Sequence, residues 1–155
     1  MIKVYIRPYR PSDFDAVTIL WRISREKSLP EFQKAHGHFF FEDQWYFLEH
    51  ILPENQVWLA EEEPGRGGHL AFLAIKDDFI DHLYVHPDHW RKGIGEQMLE
   101  FARTLSPHRL WLYTLQVNLN ARAFYRKNGF KAVAFGISPA PESQPDVTYE
   151  WSDRG

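Results

Sequence analysis

The chain has no cysteine in its 155 residues, which excludes disulfides, thiolate metal sites and a thiol nucleophile, and which suits a reducing compartment. It also lacks any run near the ~18 consecutive apolar residues of a membrane-spanning helix. The opening MIKVYIRPYRP is charged and broken by proline, unlike a basic leader followed by an apolar run. The expectation is a cytoplasmic protein that is neither secreted nor bound to a membrane. A basic excess is missing as well. The formal net charge is −3, whereas a general nucleic-acid partner needs clustered cations, so any phosphate recognition has to be local. Neither GxxxxGK[ST] nor a complete GxGxxG occurs, because Met98 stands where the third glycine of the latter belongs.

What is present is a chain 44% apolar, long enough for one buried core and too short for two ordinary domains, so residues 1–155 are read as a single domain. KVYIRPY alternates about Val4 and Ile6 as a half-buried strand does. Ser12, Asp13 and Asp15 then suggest a capped helix start, with Phe14, Val17, Leu20, Trp21 and Ser24 on one face. Residues 31–52 are dense in aromatics and read as a loop and a second helix, with the block from Phe39 to Phe47 mostly in the core. Three strand-like runs follow: QVWLAEEE, GGHLAFLAIKDD and FIDHLYVHP. The period then becomes helical through Met98, Leu99, Phe101, Ala102 and Leu105 until Pro107. HRLWLYTLQV, NARAFYRKN and the pair FKAVAFGI and DVTYEWS complete a strand, a short helix and two strands, with Gly129 expected as a left-handed C-cap. The order describes an α/β fold: a mixed, mostly antiparallel twisted sheet of about seven strands with about four helices on its faces.

HPDHWRKGIGEQML, residues 86–99, puts two glycines between a strand and a helix, beside Arg91 and Lys92. Unpaired N–H groups at a helix start and the absence of Cβ atoms let such a turn hold an anion. The glycines could equally serve only the turn itself. Downstream, NLNARAFYRKNGF places Ala121, Phe124 and Tyr125 on one face of a short helix. Tyrosine on such a face is ordinarily core.

Taken together, LYVHPDHWRKGIGEQML and NxxAxxFYxxxGF closely resemble the GNAT superfamily of acetyl-CoA-dependent N-acetyltransferases. The resemblance implies a GNAT-like (acyl-CoA N-acyltransferase) fold. It further implies acetyl-CoA as acyl donor, no metal, and direct attack of a primary amine on the thioester in a ternary complex. By the same resemblance Leu83, Tyr84 and Val85 pair with the pantetheine arm and a backbone N–H near Val85 polarises the thioester carbonyl. Arg91, Lys92, Gly93, Ile94, Gly95 and Glu96 wrap the pyrophosphate, Asn118 contacts the cofactor and Tyr125 protonates the departing thiolate. The acceptor it implies is an amine of a small molecule or a protein, and it admits a homodimer. An alternative is a non-catalytic module that binds or senses acyl-CoA.

Tyrosine at about pKa 10 protonates a thiolate near 8.5 only uphill, by roughly 2 kcal/mol, so Tyr125 is expected to act partly as a hydrogen-bond donor. For the base that must uncharge the amine, Asp81 is selected, with His82, Asp78 and Glu61 as other groups near strand ends. Trp90 departs from the family, where glutamine or arginine often stands three residues before the first glycine. Tyr113 stands where some members that modify protein N-termini carry a glutamate. His36 and His38, or His82, His86 and His89, lack metalloprotease spacing and read as turn or solvated residues. Glu61, Glu62 and Glu63 read as a solvated strand end.

Overall fold

The computed structural model describes residues 2–65, 68–140 and 142–155. Its framework is a seven-stranded sheet in the order β1-β2-β3-β4-β5-β7-β6. The strands are β1 (Tyr5–Pro8), β2 (Gln56–Glu61), β3 (His69–Lys76), β4 (Phe79–Val85), β5 (Arg109–Leu115), β6 (Lys131–Ile137) and β7 (Pro145–Ser152). All neighbours are antiparallel except β4 and β5, which meet in parallel at a single register pair, Phe79 with Trp111. The helices are α1 (Phe14–Ser28), α2 (Pro30–His36), α3 (Phe40–Tyr46), α4 (Leu52–Glu54), α5 (Ile94–Leu105) and α6 (Leu119–Lys127). A π turn, Phe47–Ile51, joins α3 to α4 just before Pro53.

Alternation along the strands divides the core in two. Val57, Leu59, Phe72 and Ala74 face Val17, Leu20 and Trp21 of α1 and Phe47 of the π turn. On the other face Ala60, Leu73, Leu110 and Tyr149 pack with Met98 and Leu99 of α5 and Tyr125 of α6. β3 has both faces covered and is buried from Leu70 to Ile75, which explains its unbroken apolar run. β6 lies at an edge and is exposed along its whole length.

Several expectations need correction. Ser12 does not cap α1: it lies inside a short 3-10 turn, Pro11–Asp13. The carboxylate of Asp13 turns inward to accept from the Arg10 backbone at 2.7 Å, the Arg7 guanidinium at 2.8 Å and His69 Nε2 at 2.8 Å. Glu61 is likewise buried rather than solvated, held by Arg7 and by the Gly65 N–H at 3.0 Å. The aromatic block is mostly outside the core: Phe39, Phe41, Trp45 and Tyr46 are exposed and Phe47 is buried. Leu105, at the end of α5, is exposed as well.

Candidate active site

Beyond the single rung at Phe79 and Trp111, β4 and β5 share no further register pair among the described residues, which leaves a gap between them. Its chemistry follows from register. The His86 N–H donates to the Leu70 carbonyl at 2.7 Å, and antiparallel residues exchange ladder bonds at every second position. Tyr84, paired with Phe72, therefore directs its backbone groups to β3, whereas Leu83 and Val85, opposite Leu73 and Ala71, direct theirs into the gap. A segment of main chain inserted there would find a strand edge ready to pair. The β3–β4 register shifts at Ala74/Ile75, so that Asp81 has no opposite number and sits on a bulge.

At the end of β4 the chain makes a short turn, Pro87–His89, and reaches the glycines. Arg91 and Gly93 both have left-handed backbone, φ 64° and 77°, and α5 begins at Ile94 with no side-chain cap. The first helical bond is donated by the Gln97 N–H to the Gly93 carbonyl at 3.2 Å. The N–H groups of Ile94, Gly95 and Glu96 thus lack intrahelical acceptors, and with the helix dipole they favour an anion. Arg91 and Lys92 are exposed beside them. The two glycines differ in purpose. Gly93 supplies the left-handed turn, whereas a Cβ on Gly95 would lie 2.9 Å from Phe124 Cζ, so Gly95 lets α6 approach α5. Glu96 reaches Lys127 of α6 at 3.3 Å.

The side chain of Asn118 accepts from the Ala121 N–H at 3.1 Å and so caps α6. From α6, Tyr125 is buried on the α5 side, packed on Phe130 and Tyr149 with ring centroids 5.4 and 6.2 Å away. Burial raises the pKa of its phenol, and the nearby Tyr84 phenol raises it further. The hydroxyl is a donor throughout the ordinary pH range.

Residues 53–132 match the family model for the acetyltransferase (GNAT) domain. The chain belongs to the GNAT acetyltransferase family. It is 28% identical over 133 residues to the peptidyl-lysine N-acetyltransferase YjaB of Salmonella typhimurium, covering 84% of this chain and 85% of that protein. Among solved structures it resembles apo YjaB from Escherichia coli, with a TM-score of 0.78, 23% identity, and 96% and 97% of the two chains covered. It also resembles the PaiA N-acetyltransferase of Thermoplasma acidophilum solved with coenzyme A, with a TM-score of 0.69, 20% identity, and 97% and 99% covered.

In this GNAT acetyltransferase the groups considered as bases fall in different places. Asp81 is part-exposed on its bulge and accepts from Asn55 Nδ2 at 2.9 Å. His82 Nε2 lies 3.6 Å from the same carboxylate. Its ring packs against Trp21 and Tyr84 at 5.5 and 6.1 Å. Burial depresses the pKa of His82, with Asp81 opposing and Arg25 assisting, so the imidazole is neutral at pH 7. Asp78 is instead engaged by Arg109 at 2.7 Å and the Trp111 indole at 3.0 Å. Glu61 belongs to the Arg7 cluster on β1 to β3. Tyr113 is exposed and packs on Phe79 and Trp111.

The sequence reading did not pair α1 with α3 through their charges. Arg25 lies over the Trp21 ring at 4.2 Å and pairs with buried Asp43 at 2.7 Å, while Trp21 also meets Tyr46 at 6.2 Å. The signal was the charge-rich spacing Arg22, Arg25 and Asp43, since a carboxylate that becomes buried needs cations from a neighbouring helix. Among the described residues no three histidine, aspartate or glutamate side chains gather around a metal-sized space. Among them, too, no helix is long and apolar enough to cross a membrane.

Proposed function

We propose that residues 1–155 form one catalytic domain that transfers the acetyl group of acetyl-CoA to the amine of a lysine side chain, by direct attack in a ternary complex in the cytoplasm. The observation that carries this reading is the gap into which the backbone groups of Leu83 and the N–H of Val85 are directed, ending at the uncapped start of α5. A pantetheine arm is extended and amide-bearing, and a diphosphate is anionic, so the strand edge and the helix start match the two ends of one ligand.

Acetyl-CoA supplies a thioester carbonyl that an uncharged amine attacks, the C–N bond forming as the C–S bond breaks and sulfur leaves as thiolate. The Leu83–Val85 edge aligns the arm, and the Val85 N–H stabilises charge growing on the carbonyl oxygen. The N–H groups of residues 93–96, with Arg91 and Lys92, hold the diphosphate. Asn118 contributes its amide NH2 to the cofactor, its oxygen being occupied by the cap. Tyr125 donates a hydrogen bond to the leaving sulfur. Asp81 takes the proton from the ammonium, directly or through water.

The charge around the acceptor side favours a cationic amine. Partial desolvation raises the pKa of the Tyr46 phenol although much of the residue is exposed, and the carboxylates of Asp81, Glu54 and Glu142 raise it further. These groups come from three separate segments, and their combined field attracts an ammonium. A lysine acceptor also agrees with the named activity of the YjaB relative. The test is calorimetry with coenzyme A, followed by thiol release with acetyl-CoA and a panel of lysine peptides, polyamines and neutral amines. Binding and peptide-dependent release are expected. No coenzyme A binding removes the donor assignment, and turnover of neutral amines alone removes the lysine assignment.

A further inference from the structure

The carbonyl of Val85 points into the same gap as its N–H, yet it is not free. It accepts from the Trp90 indole Nε1–H at 2.8 Å and from the Ser24 hydroxyl at 3.2 Å. A carbonyl oxygen has two lone pairs, and here both are engaged from within the chain. Ser24 is buried on α1, 61 residues away, whereas Trp90 is half-buried only five residues further along. Trp90 is also the residue that leads into the left-handed pair Arg91 and Gly93. Such a bond is not automatic for an indole in this protein: the buried N–H of Trp58 has no hydrogen-bond partner among the described residues.

We propose that Trp90 is a positioning residue that ties the diphosphate-binding turn to the end of β4 and, by holding the peptide group that follows Val85, restricts rotation at Val85 and keeps its N–H directed toward the thioester. It rests on the acetyl-CoA reading above. With the indole latched, the Val85 carbonyl is closed to the cofactor, and the edge offered to the pantetheine arm consists of the Val85 N–H and the backbone groups of Leu83. The latch also makes the turn and the amide one unit: a shift of the turn is felt at the residue that polarises the carbonyl.

The test separates affinity from turnover. Trp90→Phe keeps a ring and removes the donor. The expected result is a fall in kcat of about tenfold, below the hundredfold or more lost when a transition-state donor is deleted outright, with the Kd for coenzyme A changed less than about twofold. Unchanged kcat overturns the proposal. Equal losses in kcat and coenzyme A affinity also overturn it, because they describe a residue that merely shapes the turn. A second measurement needs no variant: in the wild-type protein the Trp90 indole proton should exchange slowly with solvent and remain protected when coenzyme A is added. Rapid exchange, or loss of protection on binding, refutes the latch. Failure of the wild type to bind coenzyme A falls instead on the donor assignment.

Discussion

Replacing Tyr125 with phenylalanine removes one oxygen and leaves the ring contacts with Phe130 and Tyr149 in place. The size of the effect follows from the state of the phenol. An ordinary tyrosine lies about 1.5 pH units above a thiol, and transfer of its proton to the thiolate is already uphill by roughly 2 kcal/mol. Burial and the Tyr84 phenol push Tyr125 higher still, so full proton transfer is less favourable, and in the proposed reaction the hydroxyl acts by donating a hydrogen bond. A bond to a charged partner contributes about 1.5–3 kcal/mol. At about 1.4 kcal/mol per factor of ten, Tyr125→Phe should lower kcat roughly 10- to 100-fold. The Kd for coenzyme A should change little. The assay is thiol release at saturating acetyl-CoA from pH 6 to 10, with calorimetry for the Kd. A donor gives a deficit that stays nearly constant across that range. A deficit that disappears as pH approaches 9 would mean that Tyr125 is the titrating acid, against the burial argument, and an undiminished kcat would remove it from the chemistry.

Other perturbations test separate parts of the structure. Asp81→Asn keeps the shape and the hydrogen bond from Asn55 within reach but cannot take a proton, so kcat/KM for a lysine peptide should fall at least tenfold and the acid limb of its pH profile should change. An unaltered profile would assign the base elsewhere. Gly95→Ala pushes a methyl to 2.9 Å from Phe124 Cζ; crowding of about 1–3 kcal/mol exceeds the helix-propensity gain of up to about 1 kcal/mol. Its melting temperature should therefore drop, and the penalty should shrink in a Phe124→Leu background. Asp13→Asn should cost about 3 kcal/mol at pH 7, because Arg7 loses a buried partner. Arg7, opposed by burial and aided by His69, holds the folded Asp13 pKa far below its unfolded value. The stabilisation is thus complete above about pH 4, the ordinary carboxyl range, and declines as pH falls below it. Denaturant titrations at pH 7 and pH 3 should show the variant's deficit narrowing in acid.

Much of this architecture was written locally. The succession of strands and helices along the chain, the helices after Gly93 and Asn118, and the left-handed Gly129 with φ 89° follow from period and punctuation. What was not legible depended on partners far away in the chain. Asp13 and Glu61 look like surface acids until Arg7 and His69 are brought to them by pairing of β1, β2 and β3. Phe39, Phe41 and Trp45 read as core because aromatics usually are, but Phe39 and Phe41 stack on each other, Trp45 meets His50 of the π turn, and all three stay exposed. Gly95 and Gly93 look alike in a pattern, and only the position of Phe124 separates a packing glycine from a turning one. Trp90 seemed an irregular member of its motif because a motif records side-chain identity, whereas its partner is a backbone oxygen.

The split between β4 and β5 has a cost outside catalysis. A sheet normally keeps bare edges at its rim, where they can be covered or charged, since an unpaired strand invites other chains. This sheet carries two more in its middle, where β4 and β5 part after their one shared rung. An extended ligand lying between them would heal the sheet into a continuous one, so its binding acts as a fold completion and shifts stability by mass action. On the proposed function that ligand is the acyl donor, and the form of the protein with the two bare central edges is the unliganded one.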